Sequence, residues 1–180
     1  MRITISGPPG SGKTTACSKL SETLGLEAVV FGRIFRELAA EKHLTLTQLG
    51  ELAERDPSID NMIDERILQM ARTHEDLILE SRLSAYMLSR NGIDAFKIHI
   101  SASPEVRMQR VGLREGETLE EATAATVERQ RSEAKRYKQW YGIDIEDLSV
   151  YDLVINTDDM DPDQVLNAIL EGLDAWSADH

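Results

Sequence analysis

The stretch Gly7-Pro8-Pro9-Gly10-Ser11-Gly12-Lys13-Thr14 constrains this chain most, because it demands a strand before it and a helix after it. It fits the spacing G-x-x-x-x-G-K-[ST], a loop whose backbone N–H groups cradle phosphates. Both flanks comply: Arg2-Ile3-Thr4-Ile5-Ser6 reads as a short buried strand, and Thr14 to Leu24 as a helix stopped by Gly25. Glycines let the backbone take conformations that a β-carbon forbids, so successive N–H groups turn inward as an anion nest. The helix N-terminus adds partial positive charge. In such a loop Lys13 reaches the β- and γ-phosphates of a nucleoside triphosphate, and the Thr14 hydroxyl ligates Mg²⁺.

Beyond the loop, apolar strands alternate with helices. Ala28-Val29-Val30-Phe31 is expected as a second strand, running into Gly32-Arg33-Ile34-Phe35-Arg36 and a helix through about Lys42. Leu44 to Glu54 has helical spacing at Leu46, Leu49 and Ala53; Asp56-Pro57 breaks it, and Ser58 is placed to cap the next helix. So about forty residues of helix precede the third strand, Asp76 to Glu80, far more than a parallel crossover needs, and they predict a helical insert. Phe96 to Ile100 is a fourth strand, Ser103 caps a helix with Pro104 in its first turn, and Thr118 to about Tyr141 is a highly charged helical stretch. Leu153 to Asn156 is the fifth strand, and Asp161-Pro162 opens a last amphipathic helix. Five strands alternating with helices predict an α/β fold with a parallel sheet flanked by helices. At 180 residues this is one domain.

In an open α/β sheet, ligands sit beyond the carboxyl ends of the strands. That rule gathers the loop, Gly32 and Arg36 after the second strand, and Glu80 and Arg82 after the third. The 118–141 stretch is expected to fold over them as a lid; Arg129 and Arg136, seven apart, share one helical face, while Arg131 lies on another side. Glu80 is expected either to hold a magnesium-bound water or to pair with an arginine. Arg107 shares a face with Arg110 and Arg114 and is expected to be solvated. The four histidines lack metal-ligand spacing, and His99 is expected to be a hydrogen-bonded core residue. The net charge of −12 argues against a nucleic-acid partner, and no apolar run approaches the roughly 18 residues of a membrane helix. The chain begins directly on its first strand and has a single cysteine, Cys17, so a cytoplasmic protein without a signal peptide is expected, with Cys17 a packed core thiol.

Several stretches together resemble the nucleoside monophosphate kinases, and most closely the cytidylate kinases of the archaeal type. They are Gly7 to Thr15, Gly32 to Ala39, Leu79 to Ser84, Glu128 to Tyr137, Tyr141 to Asp144 and Tyr151 to Thr157. The resemblance covers nearly the whole chain, Ile3 to about Leu173. It implies a five-stranded core (about 1–31, 74–115 and 143–180), a monophosphate-binding insert (about 32–73) and a lid (about 116–142). It implies ATP and Mg²⁺ as cofactors. ATP would be held by Gly7, Pro8, Pro9, Gly10, Ser11, Gly12, Lys13, Thr14 and Thr15, flanked by Arg110 and Arg114. Arg36 and Arg82, beside Gly32, would grip the acceptor's phosphate; Arg129 and Arg136 would reach the phosphates from the lid; Glu133 would contact the acceptor's sugar. Lys13, Arg82, Arg129 and Arg136 form the expected catalytic set, in a monomer. Two positions depart from the family's common pattern: Phe31, where a small residue usually precedes the glycine, and Ser81, where a glycine usually precedes the second arginine. Both bear on the shape of the acceptor pocket.

The implied reaction is ATP + CMP → ADP + CDP, with dCMP and more weakly UMP as further acceptors. A kinase of AMP or of a small alcohol is a second reading. A nucleotide-driven switch or binding module is a third, from another class; Asn156-Thr157-Asp158-Asp159 lacks the N-K-x-D stretch with which GTPase switches read guanine.

Overall fold

The computed structural model describes residues 1–116 and 118–179; residue 117 of the expected lid and residue 180 of the expected core lie outside the described residues. Five parallel strands, β1 (Arg2–Ser6), β2 (Glu27–Val30), β3 (Leu77–Glu80), β4 (Phe96–Ser101) and β5 (Leu153–Asn156), lie in the order β2-β3-β1-β4-β5. Their register aligns the carboxyl ends: Ile5 and Val30 both face Glu80, and Ser6 faces His99. The phosphate loop, the chain after β2 and the Ser81-Arg82 turn therefore emerge side by side from one edge of the sheet.

The helices are α1 (Lys13–Leu24), α2 (Phe31–Glu41), α3 (Leu46–Ala53), α4 (Ser58–Thr73), α5 (Ser84–Arg90), α6 (Pro104–Glu115), α7 (Leu119–Tyr141) and α8 (Pro162–Asp179). Alternation along the strands splits the core between the two faces of the sheet. Ile3, Ile5 and Ile78 pack with Cys17 and Leu20 of α1 and with Val165, Ile169 and Leu173 of α8. Leu77 and Leu79 point the other way, onto Ile67, Met70 and Ala71 of α4 and Leu88 of α5. Cys17 is a buried core thiol, as its place in α1 implied.

Three local expectations change. Phe31 opens α2 rather than closing β2, because the helical start buries its ring in the second core beside Ile67. Ser58 is the first residue of α4 rather than its cap; Pro57 already has helical φ and ψ, and the Asp56 carboxylate accepts the Ser58 N–H at 3.0 Å. Helix α5, which its short sequence did not announce, fills the crossover from β3 to β4. The two helices that frame the site start as capping boxes: Thr45 with Gln48 for α3, and Thr118 with Glu121 for α7. Glycines in the left-handed conformation, Gly116 and Gly142, precede and follow α7.

Candidate active site

The phosphate loop requires its glycines. Gly7 has φ +145°, and a β-carbon there would stand 2.0 Å from the Ile100 carbonyl oxygen; at Gly10, φ +80°, it would stand 2.5 Å from the Arg107 carbonyl oxygen. No other residue fits so close to backbone. The loop is also tied down from outside. The Arg107 guanidinium donates to the carbonyls of Ala102 (3.1 Å) and Pro9 (3.2 Å) and to Gln130 of α7 (3.0 Å). It is 8% exposed, so the expectation of a solvated Arg107 is corrected. The reason is position: the start of α6 packs directly on the loop. Arg110 donates to the Thr157 hydroxyl and carbonyl, both at 3.0 Å, and the buried Thr157 hydroxyl donates to Ser11 O at 3.1 Å.

Lys13 folds over this loop, its Nζ donating to Pro8 O at 2.9 Å. Loss of solvent, partly offset by the Glu80 charge, lowers its pKa to about 8. The Thr14 hydroxyl donates to Glu80 Oε2 at 2.9 Å. Glu80 is 5% exposed, and the partner the structure gives it is the loop threonine. Thr14 and Glu80 thus present two hard oxygens beside the phosphate nest, a donor set that suits Mg²⁺ when phosphate oxygens complete its shell. Among the described residues no group of three or more His, Cys, Asp or Glu is placed to hold a metal by itself.

Two cavities meet at this edge of the sheet. One lies over the loop and is lined by Lys13, Thr14, Thr15, Glu80, Arg110 and Arg114. The other is walled by Phe31, Phe35, Ile63 and Tyr137 and reaches Asp60 and Asp64. Gly32, Arg36, Ser81, Arg82 and Arg129 line both. Between the arginines stands Glu133, accepting from Arg82 Nε at 2.8 Å and from Arg129 Nε at 3.2 Å. Burial alone would raise the Glu133 pKa, but Arg82, Arg129 and Arg136 together hold it down at about 2.

Arg136 departs from its expected place. It does not line the cavity over the loop. It is 2% exposed and donates through Nε (2.7 Å) and Nη2 (3.3 Å) to both oxygens of Asp60, and through Nη1 to Ser132 (2.9 Å). Seven residues of helix are about 10 Å of rise. Arg129 and Arg136 share a face, but of the two only Arg129 lines the cavity over the loop. His99 is also corrected. It is buried against the Tyr151 ring, 4.9 Å between centroids, with Nδ1 unpartnered rather than hydrogen-bonded. Burial, with Arg82 and Lys13 nearby, lowers its pKa to about 4.

Four cations of α7 have acidic partners close by: Arg129 with Glu133, Arg131 with Glu128, Lys135 with Glu54, and Arg136 with Asp60. The last two cross to α3 and α4, as do the bonds from Trp140 to Ala53 O (3.3 Å) and from Tyr141 to Asn61 (2.9 Å). Sequence reasoning missed Asp60, Asp64 and Arg107. Only Arg107 left a signal, since it shares its helix face with Arg110 and Arg114.

The comparisons with known proteins agree with this geometry. Residues 2–159 match the model of the cytidylate kinase-like family. A cytidylate kinase of Halobacterium salinarum is 43% identical over 179 residues, covering 99% of this chain and 92% of its own. A cytidylate kinase of Methanosarcina barkeri is 44% identical over 176 residues, covering 97% of each chain. Among solved structures, an uncharacterized protein from Eubacterium ventriosum superposes with a TM-score of 0.73 at 19% identity, covering 97% of this chain and 98% of its own. A shikimate kinase from Acinetobacter baumannii in complex with shikimate superposes with a TM-score of 0.60 at 17% identity, covering 97% and 93%; both share the fold. Among the described residues no helix is long and apolar enough to cross a membrane. A phosphate loop at the centre of a parallel sheet, a second cavity joined to it through arginines, and relatives matched along nearly their whole length lead to one assignment: the chain belongs to the cytidylate kinase-like family.

Proposed function

We propose that the protein transfers the γ-phosphoryl group of ATP to a pyrimidine nucleoside monophosphate, ATP + CMP → ADP + CDP, with dCMP a second acceptor and UMP a weaker one. The observation that carries this reading is the junction of the two cavities at Arg36, Arg82 and Arg129. A switch hydrolysing its own triphosphate has no use for a second, aromatic-walled cavity that opens onto cations. A monophosphate whose base lies among Phe31, Phe35 and Tyr137 would bring its phosphate to that junction, facing the loop.

The chain's own groups then have separable tasks. The loop N–H groups and Lys13 hold the ATP phosphates, with Arg110 and Arg114 alongside. Arg36 and Arg82 grip the acceptor phosphate, and Arg129 faces the transferring group. Glu133 holds Arg82 and Arg129 in place. Thr14 and Glu80 would hold Mg²⁺, which when bound neutralises charge on the β- and γ-phosphates. The core 1–31, 74–115 and 143–180, the acceptor insert 32–73 and the covering segment 116–142 supply these groups in turn.

The test is ADP formation from ATP with CMP, dCMP, UMP and AMP supplied in turn. CMP is expected to give the highest kcat/KM, and a rate that no acceptor raises above ATP alone overturns the reading. For the metal, Thr14→Ser is expected to retain most Mg²⁺-dependent activity and Thr14→Val to lose it, since only serine keeps the oxygen. Equal rates for the two variants would remove the metal role.

Arg82 separates acceptor from donor. With its Nε committed to Glu133, the end of the fork is left for a phosphate. Lysine keeps the charge but cannot serve both partners. Arg82→Lys is expected to weaken use of CMP by about 1.5–3 kcal/mol, the range for hydrogen bonds to charged groups, while the affinity for an ATP analogue stays near the parent's. Paired measurements decide it: calorimetric titration with the analogue, and kcat/KM for CMP at saturating ATP. A tenfold loss of analogue binding with CMP use untouched would move the acceptor site elsewhere.

A further inference from the structure

The acceptor cavity is lined by a carboxyl group that does not line the cavity over the phosphate loop and that the proposed reaction does not use. Asp64, on α4, lines that cavity and is 8% exposed, and its Oδ2 has no hydrogen-bond partner. A buried polar atom left unpartnered is costly, and native structures keep few of them without a function. Its neighbour Asp60 is not in that position, because both of its oxygens are taken by Arg136. Arg136 in turn spends three of its five N–H groups on Asp60 and Ser132, and it lines the same cavity. An acceptor atom and the remaining donors of a guanidinium thus line one pocket, together with the rings of Phe31, Phe35 and Tyr137.

We propose that Asp64 reads the base of the acceptor nucleotide: its Oδ2 takes a hydrogen bond from an exocyclic amine, while Arg136 donates to the adjacent ring nitrogen. This rests on the CMP-kinase reading and deepens it. Cytosine offers that pair along one edge, the N4 amine as donor and N3 as acceptor. Uracil reverses both, setting O4 against the carboxyl oxygen and N3–H against the guanidinium. A site built to bond one group rejects the analogue lacking it far more strongly than an apolar pocket can. The electrostatics agree. Burial raises the Asp64 pKa to about 7, with Asp60 adding to the rise and Tyr141 and Arg136 opposing it, and an N–H donor brought against Oδ2 favours the ionised form. Phe31, Phe35 and Tyr137 supply the apolar sides on which a flat base rests.

The experiment compares kcat/KM for CMP and for UMP, at saturating ATP, in the parent, Asp64→Ala and Asp64→Asn. Asp64→Ala is expected to lower the CMP-to-UMP ratio about 10- to 100-fold, mostly through loss of CMP use. Asp64→Asn, of nearly the same shape, keeps the test decisive where the alanine variant does not fold. Its amide can turn an NH₂ toward O4 of uracil, so its ratio is expected to fall through a gain in UMP use. A purely structural role would depress both acceptors together and leave the ratio alone. A parent that prefers CMP, with either folded variant keeping the parent's ratio within twofold, overturns the assignment of Asp64 alone. A parent that phosphorylates no amine-bearing monophosphate overturns the CMP-kinase reading and this assignment with it.

Discussion

Lys13→Ala is expected to lower kcat about 10²–10³-fold, the cost of removing one preorganised group of about 3–4 kcal/mol from a developing charge, while the protein unfolds close to the parent's temperature. The two halves of that expectation come from different bonds. The loop keeps its shape through Gly7 and Gly10 and through the ties from Arg107 and Thr157, none of which involves the lysine side chain. What the fold loses is one hydrogen bond from Nζ to Pro8 O. A bond to a neutral acceptor contributes about 1 kcal/mol net. Catalysis loses more. The ammonium is already desolvated, with a pKa lowered to about 8, so an arriving polyphosphate need not strip water from it and favours its charged form. The check is kcat at saturating ATP and CMP beside a thermal melt. A folded variant within threefold of the parent's rate would show that the backbone nest alone carries the transfer.

Arg136→Ala is expected to cost about 3–5 kcal/mol of folding stability, the range for breaking a buried ion pair from one side. The side chains of Arg136 and Asp60 are 3% and 5% exposed. Removing the arginine leaves the Asp60 carboxylate buried without a counter-charge, near Asp64 and Glu133. It also removes the guanidinium lying 5.7 Å from the Phe35 ring and 5.6 Å from the Tyr137 ring. The double variant Arg136→Met with Asp60→Leu is expected to recover most of the loss, since apolar residues of similar volume can replace a buried pair at little cost. Urea unfolding with linear extrapolation measures both. A single variant within 1 kcal/mol of the parent would mean that water reaches the pair.

How far the sequence spoke depended on range. The phosphate loop was legible because its chemistry is local: glycines, a lysine and a threonine at fixed spacing between a strand and a helix. The strands were legible for the same reason, as short apolar runs, and the alternation of elements pointed to a parallel sheet. Caps that need one side chain, such as Ser103, could be read; Ser58 could not, because Asp56 two residues earlier took the role. Arg136 misled. Helical spacing put it on the face of Arg129, but what decides its role is Asp60, seventy-six positions away on another helix. Asp64 was silent altogether, since an aspartate in an amphipathic helix reads as surface until tertiary packing buries it. Arg107 shows the converse: its face was known, and the nearness of the loop was not.

The bonds from α7 to α3 and α4 decide what can move. Gly50 lies so close to α7 that a β-carbon would stand 3.2 Å from Ser132 Oγ, and the Arg136–Asp60 and Lys135–Glu54 pairs clamp the same seam. Peeling the helix away would leave Arg136 on one side and Asp60 on the other, each buried without its counter-charge. Moving α3, α4 and the seam of α7 as one keeps the Arg136–Asp60 and Lys135–Glu54 pairs intact. Any closure over the phosphate loop is therefore expected to move a jaw rather than a flap. In the proposed reaction an acceptor base held among Phe31, Phe35 and Tyr137 would lie inside that jaw, between α2 and α7.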